Sequence, residues 1–225
     1  MKYLRYFLKR YKYEILVVAL IQHLFIGIVL TNLNSYTKYI WPLNMVILGI
    51  ASIGVFIESG RWKRILRNFL FIIVLLLPVG LPLAHNFPTF MVITSLVYVA
   101  FFLFIFWEIL QFLVSPGYIN SDIISASACG YFLIIEISCF LMQVFFYRHP
   151  NSFKGLDISS PAATFIDFVY FSSISLTSIG FGDITPTMYY TKLVTSFFGL
   201  AGQFYSVVLV GILISKFSAK QNNQL

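Results

Sequence analysis

Six apolar stretches, at residues 15–30, 41–57, 68–84, 91–114, 122–147 and 189–217, constrain this chain more than any other feature. The hydrocarbon core of a bilayer is about 30 Å thick and takes ~20 residues of helix to cross. Inside it every backbone amide and carbonyl has to find its partner within the protein. The expected fold class is therefore an all-α membrane protein with six transmembrane helices. Composition agrees: 59% of residues are hydrophobic and 10% are charged, against about 25% charged in a soluble domain.

The formal net charge of +7 does not point to nucleic acid, because the charges gather beside the apolar runs, where they act as topology signals. Lys2, Arg5, Lys9, Arg10 and Lys12 precede the first run, with Tyr and Phe interleaved. No small-residue cleavage site follows, so this is a retained first helix with a cytoplasmic N-terminus. Residues 32–39 form a polar loop, and residues 59–67 a cytoplasmic loop carrying Arg61, Lys63, Arg64 and Arg67. The three arginines fall at every third position, the spacing of a voltage sensor. They precede the membrane run rather than lie in it, however, and residues 91–114 contain no basic residue. A topological role is expected for them. Pro78 and Pro82 should kink or end the third helix near the outer face. Residues 115–121 break the chain into a four-helix front region, 1–114, and a region 115–225 that contains a different kind of segment.

That segment is Thr177-Ser178-Ile179-Gly180-Phe181-Gly182-Asp183. A cation crossing a membrane must exchange its water oxygens for protein oxygens, and successive backbone carbonyls aimed at one axis can supply them. A strand cannot, because its carbonyls alternate sides. Aligning them requires residues that alternate between left- and right-handed backbone, and glycine reaches positive φ at no steric cost. Gly180 and Gly182 are placed for this. Ile179 and Phe181 would then point away from the axis into a surrounding wall of protein, and Ser178 would add a hydroxyl as the innermost ligand. The run before the strip, residues 164–177, is long enough for about three helical turns. It starts either at a capping box of Thr164 with Asp167 or at Ser160 followed by Pro161. In both cases the partly negative helix C-terminus faces the place where a cation would wait.

The strip resembles the selectivity filter of the potassium channel family, usually written Thr-Val-Gly-Tyr-Gly-Asp. The resemblance implies that residues 178–183 are the filter and that Thr177, Ser178, Ile179, Gly180, Phe181, Gly182 and Asp183 make up the ion-binding signature. Within it, K⁺ would be coordinated at Ser178, Ile179, Gly180 and Phe181. It also implies an outer helix at 122–147, a re-entrant pore helix at 164–177 and an inner helix at 189–217, with a likeness covering about the last hundred residues. Ser178 keeps the hydroxyl of the usual threonine but not its methyl group; Phe181 lacks the hydroxyl of the usual tyrosine. In many relatives the closing aspartate is tied to a tryptophan of the pore helix and a glutamate behind the filter. Phe171 and Ile174 stand at the positions aligned with these, so that strut is expected to be missing. Gly202 matches the family's hinge glycine, with Gly199 and Gly211 as rivals and close helix packing as the competing account. Residues 201–210 are also similar to the inner helix of small prokaryotic six-span channels without a voltage sensor.

One such strip per chain and four-fold coordination imply a homotetramer. The expected activity is passive potassium conduction by a multi-pass protein of the cell membrane, with both termini cytoplasmic. No cofactor is expected beyond K⁺ as the permeant ion, no partner beyond membrane lipids and further copies, and no nucleic acid. Few residues follow 217, so no cytoplasmic regulatory domain is expected on this chain. A non-selective cation channel and an ion-coupled secondary transporter are the alternatives. An enzyme is not expected, since His23, His85 and His149 are scattered and match no nucleophile motif or metal spacing.

Three ionisable residues fall within apolar runs: His23, Glu108 and Glu136, with Gln22, Gln111 and Gln143 nearby. Intramembrane groups of this kind are functional candidates by default. Glu108 lies near the inner end of its run, where snorkelling or a glutamine partner competes with a functional role. Cys129 and Cys139 are ten residues apart in one helix, about 15 Å of rise, too far for a disulfide.

Overall fold

The computed structural model describes residues 7–8, 10–29, 33–56, 60–84, 87–114 and 121–222. Its elements are α1 (Lys12–Phe25), α2 (Trp41–Val55), α3 (Arg61–Ala84), α4 (Pro88–Val114), α5 (Ser121–Arg148), β1 (Phe153–Lys154), α6 (Pro161–Leu176), β2 (Thr185–Pro186) and α7 (Tyr189–Asn222). The protein is an all-α membrane fold, with one two-residue strand pair among the described residues. Among the described residues, four helical segments are long and apolar enough to cross a bilayer: Tyr36–Val55, Pro88–Val114, Asp122–Arg148 and Tyr189–Leu209. Helix α1, at 14 residues, spans only about 21 Å, and α3 opens on a basic turn. Lys2, Arg5 and Lys9 of the N-terminal arm and residues 115–120 of the expected break lie outside the described residues.

Two expected loops are corrected. The polar stretch 32–39 becomes helical from Leu33, through a π-helical turn at Tyr36–Ile40 that runs straight into α2. Tyr36 and Trp41 are buried there, so tertiary burial of the aromatics outweighs the local polarity of the stretch. The loop 59–67 is likewise mostly helix, because α3 starts at Arg61; Arg, Lys and Leu are good helix formers and extend the apolar run backwards. Helix α3 continues past Pro78 and Pro82 to Ala84.

The basic residues of α3 fall into different surroundings. Arg61 and Arg64 are exposed. Arg67 turns inward, donates to Ile53 O at 3.4 Å and lies 6.0 Å over the Phe56 ring, at the end of α2. Lys63 pairs with Glu108 of α4 and donates to Gln111 Oε1 at 2.9 Å, so Glu108 is partnered across α3 and α4.

Helix α5 is the spine. It is buried along most of its length and packs against α4, α1, α6 and α7. Front helices and C-terminal helices therefore share one core. Its centre is a group of buried rings, Tyr36, Trp41, Tyr98, Phe102, Phe140 and Phe165, with the equally buried His23 beside them. Phe165 belongs to α6 and reaches into this group, 4.8 Å from Trp41 and 5.6 Å from Phe140 between ring centres.

Candidate ion pathway

Helix α6 is started by Ser160, whose side chain accepts from the Ala163 N–H at 3.1 Å, with Pro161 at the first turn. This selects the second of the two starts that the sequence allows. The Thr164 hydroxyl is used elsewhere, donating to Asp157 O and Ser160 O, and the Asp167 carboxylate accepts from the Asp157 N–H at 2.6 Å.

The end of α6 determines the strip that follows. The N–H of Ser178 donates to Ser175 O at 3.2 Å, while those of Ile179 and Gly180 donate to Ile174 O at 2.9 and 3.2 Å. A helix leaves its last carbonyls without intrahelical partners, and here the amides of the strip occupy them. In a trans peptide the N–H and the preceding C=O point in opposite directions. The carbonyls of Thr177, Ser178 and Ile179 are therefore all aimed away from the helix end.

The backbone continues the pattern. Ser178, Gly180 and Gly182 have φ of 61°, 54° and 82°, while Ile179 and Phe181 between them do not have positive φ. Positive φ therefore recurs at every second residue across five positions, the pattern expected of carbonyls kept on one side. Ser178 is the one non-glycine residue with positive φ among those described, a conformation that costs about 1–2 kcal/mol. The wall expected around the strip is not built by this chain. Ile179 is 57% and Phe181 71% exposed, and Phe181 lies beside the parallel ring of Tyr170, 6.5 Å away.

The outer end is held by contacts that sequence reasoning missed. Tyr170, one position before the expected Phe171, donates its hydroxyl to Asp183 Oδ2 at 2.7 Å. Phe171 and Ile174 make no such strut, as expected, but Asp183 is held all the same, by a phenol from α6. That hydrogen bond is the main cause holding the Asp183 carboxyl below its ordinary value. Strand β1 pairs antiparallel with β2, Phe153 opposite Pro186 and Lys154 opposite Thr185. Gly155, at φ +86°, lies against the strip so closely that a Cβ would stand 2.1 Å from Asp183 O. The sequence signal for the pairing was weak, since two-residue strands have no periodicity; the glycine in a loop was the only local mark.

The inner end meets α7. Gly202 is buried and a Cβ there would lie 3.0–3.1 Å from Leu176 Cγ, Cβ and O. The neighbouring Gln203 Nε2 lies 3.0 Å from Ser178 Oγ. Helix α7 runs unbroken past Gly199, Gly202 and Gly211. It leaves Tyr189, Leu193, Phe197, Leu200, Phe204 and Val207 exposed at three- and four-residue spacing, one stripe down one face.

Of the intramembrane candidates, His23 and Glu136 are brought together and Glu108 is not part of that group. Among the described residues no cluster of three or more His, Cys, Asp or Glu could hold a metal ion, and both cysteines are free and buried. No solved structure matches the chain. The family model described as "Ion channel" matches residues 129–219, from the middle of α5 through α6 and the strip to the far part of α7. The chain is an all-α membrane protein whose C-terminal region is similar to that ion-channel family model, a likeness that supports passive ion conduction.

Proposed function

We propose that the chain is one of four identical subunits of a potassium-selective pore in a cell membrane, with both termini cytoplasmic. The observation that carries this reading is the alternating backbone of residues 178–182, with its amides turned onto the end of α6. Such a strip presents carbonyl oxygens in place of a hydration shell, and K⁺ would sit at Ser178, Ile179, Gly180 and Phe181. The negative end of α6 adds to the attraction for a cation in transit. Four-fold assembly is supported by what the single chain leaves uncovered: Ile179, Phe181 and the apolar stripe of α7 are surfaces that neighbouring copies would bury. Gly202 serves as the bend of the inner helix in this reading, with its tight contact to Leu176 setting where the bend acts.

The test is current recorded from purified protein in planar bilayers under opposed K⁺ and Na⁺ gradients. A reversal potential near the K⁺ equilibrium value is expected; one midway between the two ions would indicate a non-selective cation pore. The Gly180→Ala, Gly182→Ala double variant should insert normally and carry no K⁺ current. Each substitution forces positive φ on a residue with a Cβ, although nothing lies within 4 Å of either position to obstruct it.

A further inference from the structure

The strip and the inner helix touch through one polar side chain. Gln203 Nε2 carries two N–H groups and has two acceptors in reach, Leu176 O at 3.3 Å and Ser178 Oγ at 3.0 Å. The first is a carbonyl at the end of α6 that the helix itself leaves unpaired. The second is the innermost hydroxyl of the strip. Gly202 brings the amide there, because a residue without a side chain lets α7 lie this close to Leu176 without displacing it.

The surroundings make the choice of residue informative. Leu200, Phe204 and Val207 are exposed on the neighbouring turns of α7, and an amide at membrane depth is costly unless its polar atoms are used. Two N–H groups account for the nitrogen. A hydroxyl has one hydrogen and two lone pairs; with Gln203 donating into one lone pair, Ser178 Oγ keeps a second lone pair for another ligand. The Gln203 Oε1 remains, on an exposed side chain beside the inner end of the strip.

We propose that Gln203 completes the inner end of the ion pathway: its N–H groups fix Ser178 Oγ and Leu176 O, and its Oε1 supplies one oxygen per subunit to a cation shedding its first waters. This rests on the potassium-pore reading above. Four copies would place a ring of amide oxygens below the ring of Ser178 hydroxyls, the ligand chemistry suited to a hard cation.

Ba²⁺, a divalent cation close to K⁺ in radius, is the probe. It is added to each side of a bilayer holding single channels, and its blocking affinity is read from the side of the α7 C-terminus. Gln203→Leu, similar in volume, should weaken block from that side about tenfold, and Gln203→Glu should strengthen it about tenfold, each a change of ~1.4 kcal/mol. In a Ser178→Ala background the effect of Gln203→Leu should shrink, because the two residues act as a unit. Unchanged block in both single variants overturns the proposal. Should Gln203→Leu fail to assemble, unchanged block in Gln203→Glu alone overturns it. A wild-type reversal potential far from the K⁺ value overturns the potassium reading itself, whereas correct selectivity with invariant Ba²⁺ block overturns only the role of Gln203.

Discussion

His23 Nδ1 lies 2.6 Å from Glu136 Oε1, with neither side chain exposed, and the contact ties α1 to α5 beside α6. The imidazole sits among Phe102, Phe140 and Phe165, with Phe165 5.3 Å away between ring centres. Removing one partner leaves the polar atoms of the other buried and unpaired, at a cost of about 1–3 kcal/mol, while an apolar replacement of both partners can be nearly neutral. His23→Ala should therefore lower the unfolding midpoint in detergent substantially. The His23→Leu, Glu136→Leu double variant should recover most of that loss. A double variant as unstable as the single one would show that the pair is not the source of the effect.

Tyr170→Phe removes the hydroxyl that holds Asp183. The carboxyl is kept below its ordinary value by that bond, so its contribution is present above the unfolded carboxylate value, about 3.9, and is lost as pH falls through the folded value. Wild-type currents should tolerate outer acidification to about pH 4. In Tyr170→Phe the loss should begin at higher pH, and currents should decline faster during sustained opening. Identical outer pH profiles for the two proteins would remove Tyr170 from the support of the strip.

Gly155→Ala combines two penalties. Its φ is in the left-handed region, and its Cβ would collide with Asp183 O at 2.1 Å. Backbone cannot swing aside as a flexible side chain does, so β1 and β2 should separate at this end. A loss of about 1–3 kcal/mol is expected, together with reduced single-channel conductance in bilayers.

Gly202→Ala tests the inner contact. Its Cβ would need Leu176 to give by a few tenths of an ångström, which moves α7 away from the end of α6 and stretches the Gln203 to Ser178 hydrogen bond. Open probability should fall, as a stiffer hinge also requires, but only the packing account predicts weaker inner Ba²⁺ block as well. Recording both quantities on one variant separates the two roles of Gly202.

Much of the molecule was legible because its determinants are local. Apolar length marks the long helices, since a bilayer imposes the same requirement on every run that enters it. Ser160 with Pro161 starts α6, and Gly180 with Gly182 allow positive φ, for reasons contained in the residues themselves. The stretches 32–39 and 59–67, loops by local polarity, are mostly helical because burial of Tyr36 and Trp41, and helix propensity ahead of the α3 apolar run, outweigh that polarity. Ser178 shows the same limit: nothing intrinsic to serine favours φ of 61°, and the hydrogen bonds of its neighbours to Ile174 O impose it.

By itself the sequence determined that this chain inhabits a membrane as helices and that one short stretch can turn its carbonyls to one side. Only the tertiary structure decided what holds that stretch: Tyr170 on Asp183, Gly155 under its backbone, Gln203 on Ser178, and α1 fastened to α5 by His23 and Glu136. The physical reason is separation along the chain. Positive φ and apolar length are properties of neighbouring residues, whereas 113 positions divide His23 from Glu136 and 25 divide Ser178 from Gln203, so those pairings exist only once packing has brought the helices together.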